Sequence, residues 1–181
     1  MITTQLDISE AEAKLFSVLL QSIEHNGSRS PSPSKEPTIL RVAGGWVRDK
    51  LMGLESHDID IAINNQSGVE FATNLNAYLQ SIGEPVRTLA VIQANPEQSK
   101  HLETANVRVF GQELDFVNLR SERYTEDNRI PTMEIGTAYE DALRRDFTIN
   151  ALFYNLNTSS IEDFTGMGLS DLAAGSLSST R

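Results

Sequence analysis

Cysteine is missing altogether from the 181 residues, which excludes disulfides and thiolate metal sites and is compatible with a reducing compartment. Positive charge is scarce: 15 Lys and Arg stand against 25 Asp and Glu, a formal net charge of −10. Neutralising a phosphate backbone takes clustered Lys and Arg, so the balance excludes a chain coated for nucleic acid, and any grip on a polyanion has to be local. No apolar run approaches the roughly 20 residues that span a bilayer, so no membrane partner is expected. The first 25 residues carry Asp7, Glu10, Glu12 and Glu24, whereas transit peptides are basic and poor in acids, and no signal-peptide pattern is present. Cytoplasmic residence is therefore the expectation, with nuclear or mitochondrial forms left open. What is there is ordinary for a globular protein: 39% hydrophobic and 22% charged residues, enough for one domain or one domain with a short appendage.

Helical spacing of Leu15, Phe16, Leu19, Leu20 and Ile23 predicts an amphipathic helix over residues 9 to 25, and Ser9 with Glu12 has the spacing of a capping box. Residues 26 to 37, rich in Ser, Pro and Gly, read as a flexible linker. Residues 38 to 43 read as a strand running into Gly44-Gly45, followed by a helix over 47 to 52. Strands are expected at 59 to 63 and 86 to 92, with a helix at 69 to 79 between them and a loop at 95 to 100. Segments 102 to 110 and 113 to 119, split by Gly111-Gln112, have the pattern of a hairpin. Residues 120 to 136 are polar, contain Pro131 and predict a long loop of the kind that often carries function. A helix over 137 to 145 and a closing hairpin of 151 to 156 with 160 to 164 complete the pattern, and the last nine residues are expected to fray. No internal repeat is evident.

Four features carry chemistry. Gly44-Gly45 sits between a strand and a helix, where glycine allows close backbone approach and a helix N-terminus offers N–H groups to an anion; alone, such a pair is more often a tight turn. Asp58-Ile59-Asp60 opens a strand. Alternation sends Asp58 and Asp60 to one face and Ile59, Ile61 and Ile63 to the other. Two carboxylates side by side repel unless a cation bridges them, and an oxygen-only ligand set suits Mg²⁺; a solvated turn bearing two acids is the plainer alternative. Asp115, flanked by Leu114, Phe116 and Val117, could supply a third carboxylate or be an exposed strand residue. Arg144-Arg145 at a helix end suits phosphate contact or complements the helix dipole, with Asp146 a candidate buttress for an arginine and Asn150 a candidate cap or sugar contact.

Taken together, these residues carry a family resemblance. Residues 41 to 49 (RVAGGWVRD) with 57 to 61 (HDIDI) resemble motif A of the tRNA CCA-adding enzyme and bacterial poly(A) polymerase family. Residues 141 to 152 (DALRRDFTINAL) resemble its motif B, and 114 to 120 (LDFVNLR) with 124 to 127 (YTED) and 129 to 131 (RIP) resemble the eukaryotic-type CCA-adding branch. The resemblance covers about residues 8 to 172. It implies an α/β (α+β) fold, a polymerase-β-like nucleotidyltransferase head with a mixed sheet flanked by helices. It implies catalytic Asp58, Asp60 and Asp115, with two Mg²⁺ ions on Asp58 and Asp60. Nucleotide binding would fall to Gly44, Gly45, Arg48, Arg145, Asp146 and Asn150. The substrates implied are CTP, ATP and a tRNA 3′ end, and the loop at 120 to 136 would help the site switch from CTP to ATP. The domain organisation expected is a helix and linker over 1 to 37, the head over 38 to 168, and the start of a neck or a frayed end over 169 to 181.

In that family a neck domain follows the head and reads the incoming base, and the chain stops before one. The expectation for these residues is a truncated form with metal binding, weak NTP binding and poor base selection. A poly(A) polymerase head is the nearest rival, and a noncatalytic nucleotide-binding module is the rival from another class.

Overall fold

The computed structural model describes residues 6–29, 36–92, 103–125 and 128–180. Its first element is helix α1, Glu10–Arg29. The capping box forms: the Glu12 carboxylate accepts from the Ser9 amide at 2.9 Å, and the Ser9 hydroxyl accepts from the Glu12 amide at 3.3 Å. The helix runs beyond the expected stop at residue 25. Gly27 keeps a helical backbone and not the positive φ that ends a helix, so the polar stretch begins inside the helix. The core of the expected linker, residues 30–35, lies outside the described residues, as does the expected loop at 95–100.

Seven strands form one mixed sheet in the order β3-β4-β5-β2-β1-β8-β9. They are β1 Leu40–Ala43, β2 Asp58–Ile63, β3 Leu89–Ile92, β4 Thr104–Val109, β5 Gln112–Asn118, β8 Leu152–Asn155 and β9 Ser160–Asp163. Among the described residues only β2 and β5 pair in parallel, with helix α3, Gly68–Ser81, in the connection between them. The β4–β5 turn puts Phe110 and Gly111 at φ 49° and 81°, the positive pair that a tight hairpin turn demands. The third strand is shorter than expected, starting at Leu89 and not at 86.

One face of the sheet is the main core. Ile59, Ile61 and Ile63 of β2, Leu114 and Phe116 of β5, and Val107 of β4 pack with Leu15 and Leu19 of α1 and Phe71, Leu75 and Leu79 of α3. The approach is close: a Cβ on Gly68, the first residue of α3, would lie 2.2 Å from the Phe116 carbonyl oxygen. Helix α2, Gly45–Leu51, adds Trp46 and Val47 to this core.

The other face is covered only in part. Helix α4, Ala138–Leu143, packs small residues, Ala138 and Ala142, over Ala43, Ala62, Ala151 and Phe153. The segment expected as a loop, 120 to 136, is instead an antiparallel hairpin of β6, Arg120–Thr125, and β7, Asn128–Ile135, separate from the main sheet. Backbone pairing stabilises it without an alternating apolar face. The last nine residues, expected to fray, begin in helix α5, Gly168–Ala174, and then return to the body. Ser179 forms a β-bridge with Phe147, and the Thr148 amide donates to the Ser178 carbonyl at 3.0 Å.

Candidate active site

Alternation along β2 buries Ile59 and Ile61 and leaves Asp58 and Asp60 on the opposite, accessible face. The parallel register puts Asp115 of β5 beside Asp60. Asn106, the cross-strand partner of Asp115 on β4, donates its side-chain amide to the Asp115 carboxylate at 3.0 Å and fixes its orientation. Among the described residues, none of the three carboxylates forms an ion pair. Burial raises the Asp60 carboxyl above the usual carboxylate range; the neighbouring Asp115 charge adds to this and Asp58 adds less, while Arg145 and Arg120 oppose it. Asp58, Asp60 and Asp115 offer only oxygen donors, the chemistry that hard cations take. Among the described residues no group of three or more His, Asp or Glu side chains converges as a finished cation cage.

Asp60 shares a cleft with three arginines. This open cleft of about 200 Å³ is lined by Ala43, Asp60, Ala62, Val117, Asn118 and Arg120 on the strand side and by Asp141, Arg144 and Arg145 on the helix side. Asp141 is only 2% exposed, yet it accepts five hydrogen bonds. One oxygen takes the Arg120 backbone amide at 2.9 Å and the Arg144 guanidinium at 2.9 and 2.8 Å; the other takes Arg145 at 3.1 and 2.9 Å. Burial, and next the Arg144 charge, pull the Arg120 guanidinium below its ordinary value, so the cleft concentrates positive charge despite the acidic chain.

A second group adjoins this cleft. The Arg145 guanidinium lies over the Phe153 ring at 5.3 Å and donates to the Asn150 carbonyl at 3.3 Å. Gly44 has φ +67°, which L side chains rarely adopt, and a Cβ there would meet the Arg145 Nη1 at 2.7 Å and displace that guanidinium. At Gly45 the nearest atom to an added Cβ is Arg48 Nη2 at 3.7 Å, an ordinary contact. Arg48 donates to the Asn150 side chain at 2.6 Å and pairs with Asp49 at 2.7 Å. Asp146, exposed, accepts from the Phe147 amide at 2.8 Å and the Asn150 side chain at 3.3 Å; the Asn150 bond leads the causes that lower its pKa.

The structure thus places Asp58, Asp60 and Asp115 on adjacent strands and joins Gly44, Arg48, Arg145, Asp146 and Asn150 in one bonded network, with Gly45 next to Arg48. Asp60 and Arg145 line the same cleft, while Asp58 is exposed along the same strand face. The carboxylate that grips the arginines is Asp141, not Asp146, and sequence reasoning passes it over: an acid one turn before two arginines looks like a solvated helix pair. Asn106 is missed for a different cause, since only the β4–β5 register brings it to Asp115.

The family described as Poly A polymerase head domain matches residues 40–178. The "CCA tRNA nucleotidyltransferase, mitochondrial" of Candida glabrata is 51% identical over 177 residues, covering 96% of this chain and 33% of that protein. The protein of the same name from Saccharomyces cerevisiae is 59% identical over 146 residues, covering 78% of this chain and 27% of that one. Among solved structures, "The structure of CCA-adding enzyme apo form II" superposes with a TM-score of 0.73 at 28% identity, over 96% of this chain and 36% of that one. The chain therefore spans about a third of the length of these relatives.

Proposed function

We propose that this chain, which belongs to the Poly A polymerase head domain family, is the catalytic head of a template-independent RNA nucleotidyltransferase that adds CMP and AMP from CTP and ATP to tRNA 3′ ends. The observation that carries the reading is the cleft itself: Asp60, beside Asp115 on the paired strand, lines it together with guanidiniums held by a buried acid. That polarity suits a triphosphate whose α-phosphate must meet metal-binding oxygens while its outer phosphates meet arginines.

Nucleotidyltransferases of this family generally use divalent metals, and Mg²⁺ is the proposed ion. The unpaired carboxylates of Asp58 and Asp60 fit it by their oxygen chemistry and mutual repulsion, with Asp115 beside them. When bound there, the ion would lower the pKa of the RNA 3′-hydroxyl and neutralise charge on the pyrophosphate leaving group. Arg145 and Arg48 offset the charge of the triphosphate, and Gly44 and Gly45 let the backbone approach it. Asn150 holds the Arg48 guanidinium, and Asp146 in turn holds the Asn150 side chain. The 3′-oxygen attacks the α-phosphorus in line; a P–O bond to the RNA forms as the bond to the β-phosphate breaks, and pyrophosphate leaves with that electron pair. No covalent enzyme intermediate is needed, and positioning with charge neutralisation supplies most of the rate. The catalytic unit is drawn at residues 38 to 168. Two relatives are named mitochondrial, and fluorescence microscopy of the tagged full-length protein decides between mitochondrial, nuclear and cytoplasmic residence.

The test is extension of a tRNA transcript lacking its terminal CCA, with CTP alone, ATP alone and both. Incorporation of C before A supports the proposal, whereas long ATP-only tails would assign the chain to poly(A) synthesis.

A further inference from the structure

The arginine side of the cleft is tied to one atom pair, the two carboxylate oxygens of Asp141. The Arg120 amide, which one of them takes, is the first of the β6–β7 hairpin. The hairpin's far end is fastened nearby: the Gly136 amide donates to the Leu119 carbonyl at 2.9 Å, and a Cβ on Gly136 would lie 2.8 Å from the Ser121 amide nitrogen. Thr137 then caps α4, so hairpin base and helix form one continuous corner. Four of the five bonds to Asp141 are charge-assisted and come from the two arginines that face the cleft. Each guanidinium spends two donors on this acid, which sets the plane of its fork. Both remain partly accessible, with side chains 21% and 22% exposed.

Resting on the nucleotidyltransferase proposal, we infer that Asp141 is a positioning residue for triphosphate recognition. It sets the planes of Arg144 and Arg145 toward the cleft and ties that setting to the base of the hairpin. Asp141 itself touches no substrate. A buried carboxylate holding two cations presents them to an anion without letting them collapse onto Asp60, which lines the same cleft. Its removal leaves the charges in place but loosens their orientation, Arg145 keeping its bond to the Asn150 carbonyl, so the loss falls on the phosphates and not on the base or sugar.

The experiment measures binding of a nonhydrolysable CTP analogue and of CMP, each with Mg²⁺, by the 181-residue chain. Asp141→Asn should weaken the triphosphate analogue about tenfold, the scale of a lost charged hydrogen bond, and CMP much less. Asp141→Glu keeps the charge on a longer arm and should weaken the analogue by about a third as much on that scale, so the measurement survives if the Asn variant does not fold. In an Arg144→Gln/Arg145→Gln background, Asp141→Asn should add nothing, because the acid acts through those arginines. Equal losses for analogue and CMP, an undiminished affinity in the folded variants, or a full extra loss in the double-arginine background would overturn the inference. If the unaltered chain bound no triphosphate analogue, the nucleotidyltransferase proposal would fail first.

Discussion

Strand β2 faces two environments, and the contrast between them organises the molecule. On one side Ile59, Ile61 and Ile63 are at most 2% exposed and sit among α1, α3 and the large apolar residues of β4 and β5. On the other, Asp58 is exposed, Asp60 lies beside a third carboxylate, and Asp60 and Ala62 line a cleft with alanines and arginines. The first face is filled with large side chains and gains stability from burial. The second leaves room by using small ones and accepts repulsion among acids, which the first face offsets. The same six residues therefore anchor the fold and hold its chemistry in register, since a strand fixed by three isoleucines cannot slip by one residue without inverting both faces.

The contrast is broken most severely at Asp60. Asp60→Asn should reduce nucleotide incorporation by about a thousandfold, the scale of losing a principal electrostatic group from a transition state, in single-turnover assays. The same change relieves repulsion, so the denaturation midpoint should hold or rise. Ile61→Ala, on the buried face, should do the reverse: a stability loss of about 2 to 5 kcal/mol in chemical denaturation, with nucleotide affinity retained in the folded fraction. A smaller effect separates the two glycines. Gly44→Ala should cost roughly 1 to 3 kcal/mol from its positive φ and push Arg145 aside, whereas Gly45→Ala should leave stability nearly unchanged and alter only nucleotide affinity.

The smallest effect is a pH dependence. The folded-state pKa of Asp60 is raised, so the folded chain holds this proton more tightly than the unfolded one. Its contribution to stability is therefore greatest below the unfolded value and declines as pH rises through the window up to the folded one. Denaturation midpoints across the acidic range should show that decline flattened in Asp60→Asn relative to the unaltered chain.

The faces of β2 are legible in the sequence because alternation is local. The DID pattern at 58 to 60 states which side carries the acids before any partner is known. The capping box at Ser9 and Glu12 is legible for the same reason, since its partners are three residues apart. The hairpin at 120 to 135 is not: its residues do not alternate apolar with polar, and Pro131 argues against a strand, so only pairing reveals it. Asp141 and Asn106 escape notice because their meaning depends on what folds against them. The first acquires the Arg120 amide from 21 residues away, and the second faces Asp115 only through the β4–β5 register. The buried Thr148–Asp171 hydrogen bond, which secures α5 to the short turn at Thr148–Asn150, is equally nonlocal.

Calorimetric titration of a nonhydrolysable CTP analogue into the chain and into Asp60→Asn, each with Mg²⁺ and with EDTA, tests the central claim most directly. Binding that requires the cation in the unaltered chain and loses that requirement, together with most of its strength, in the variant is the predicted result. Affinity indifferent to both the cation and the substitution would contradict the assignment of the acidic face to metal-assisted nucleotidyl transfer.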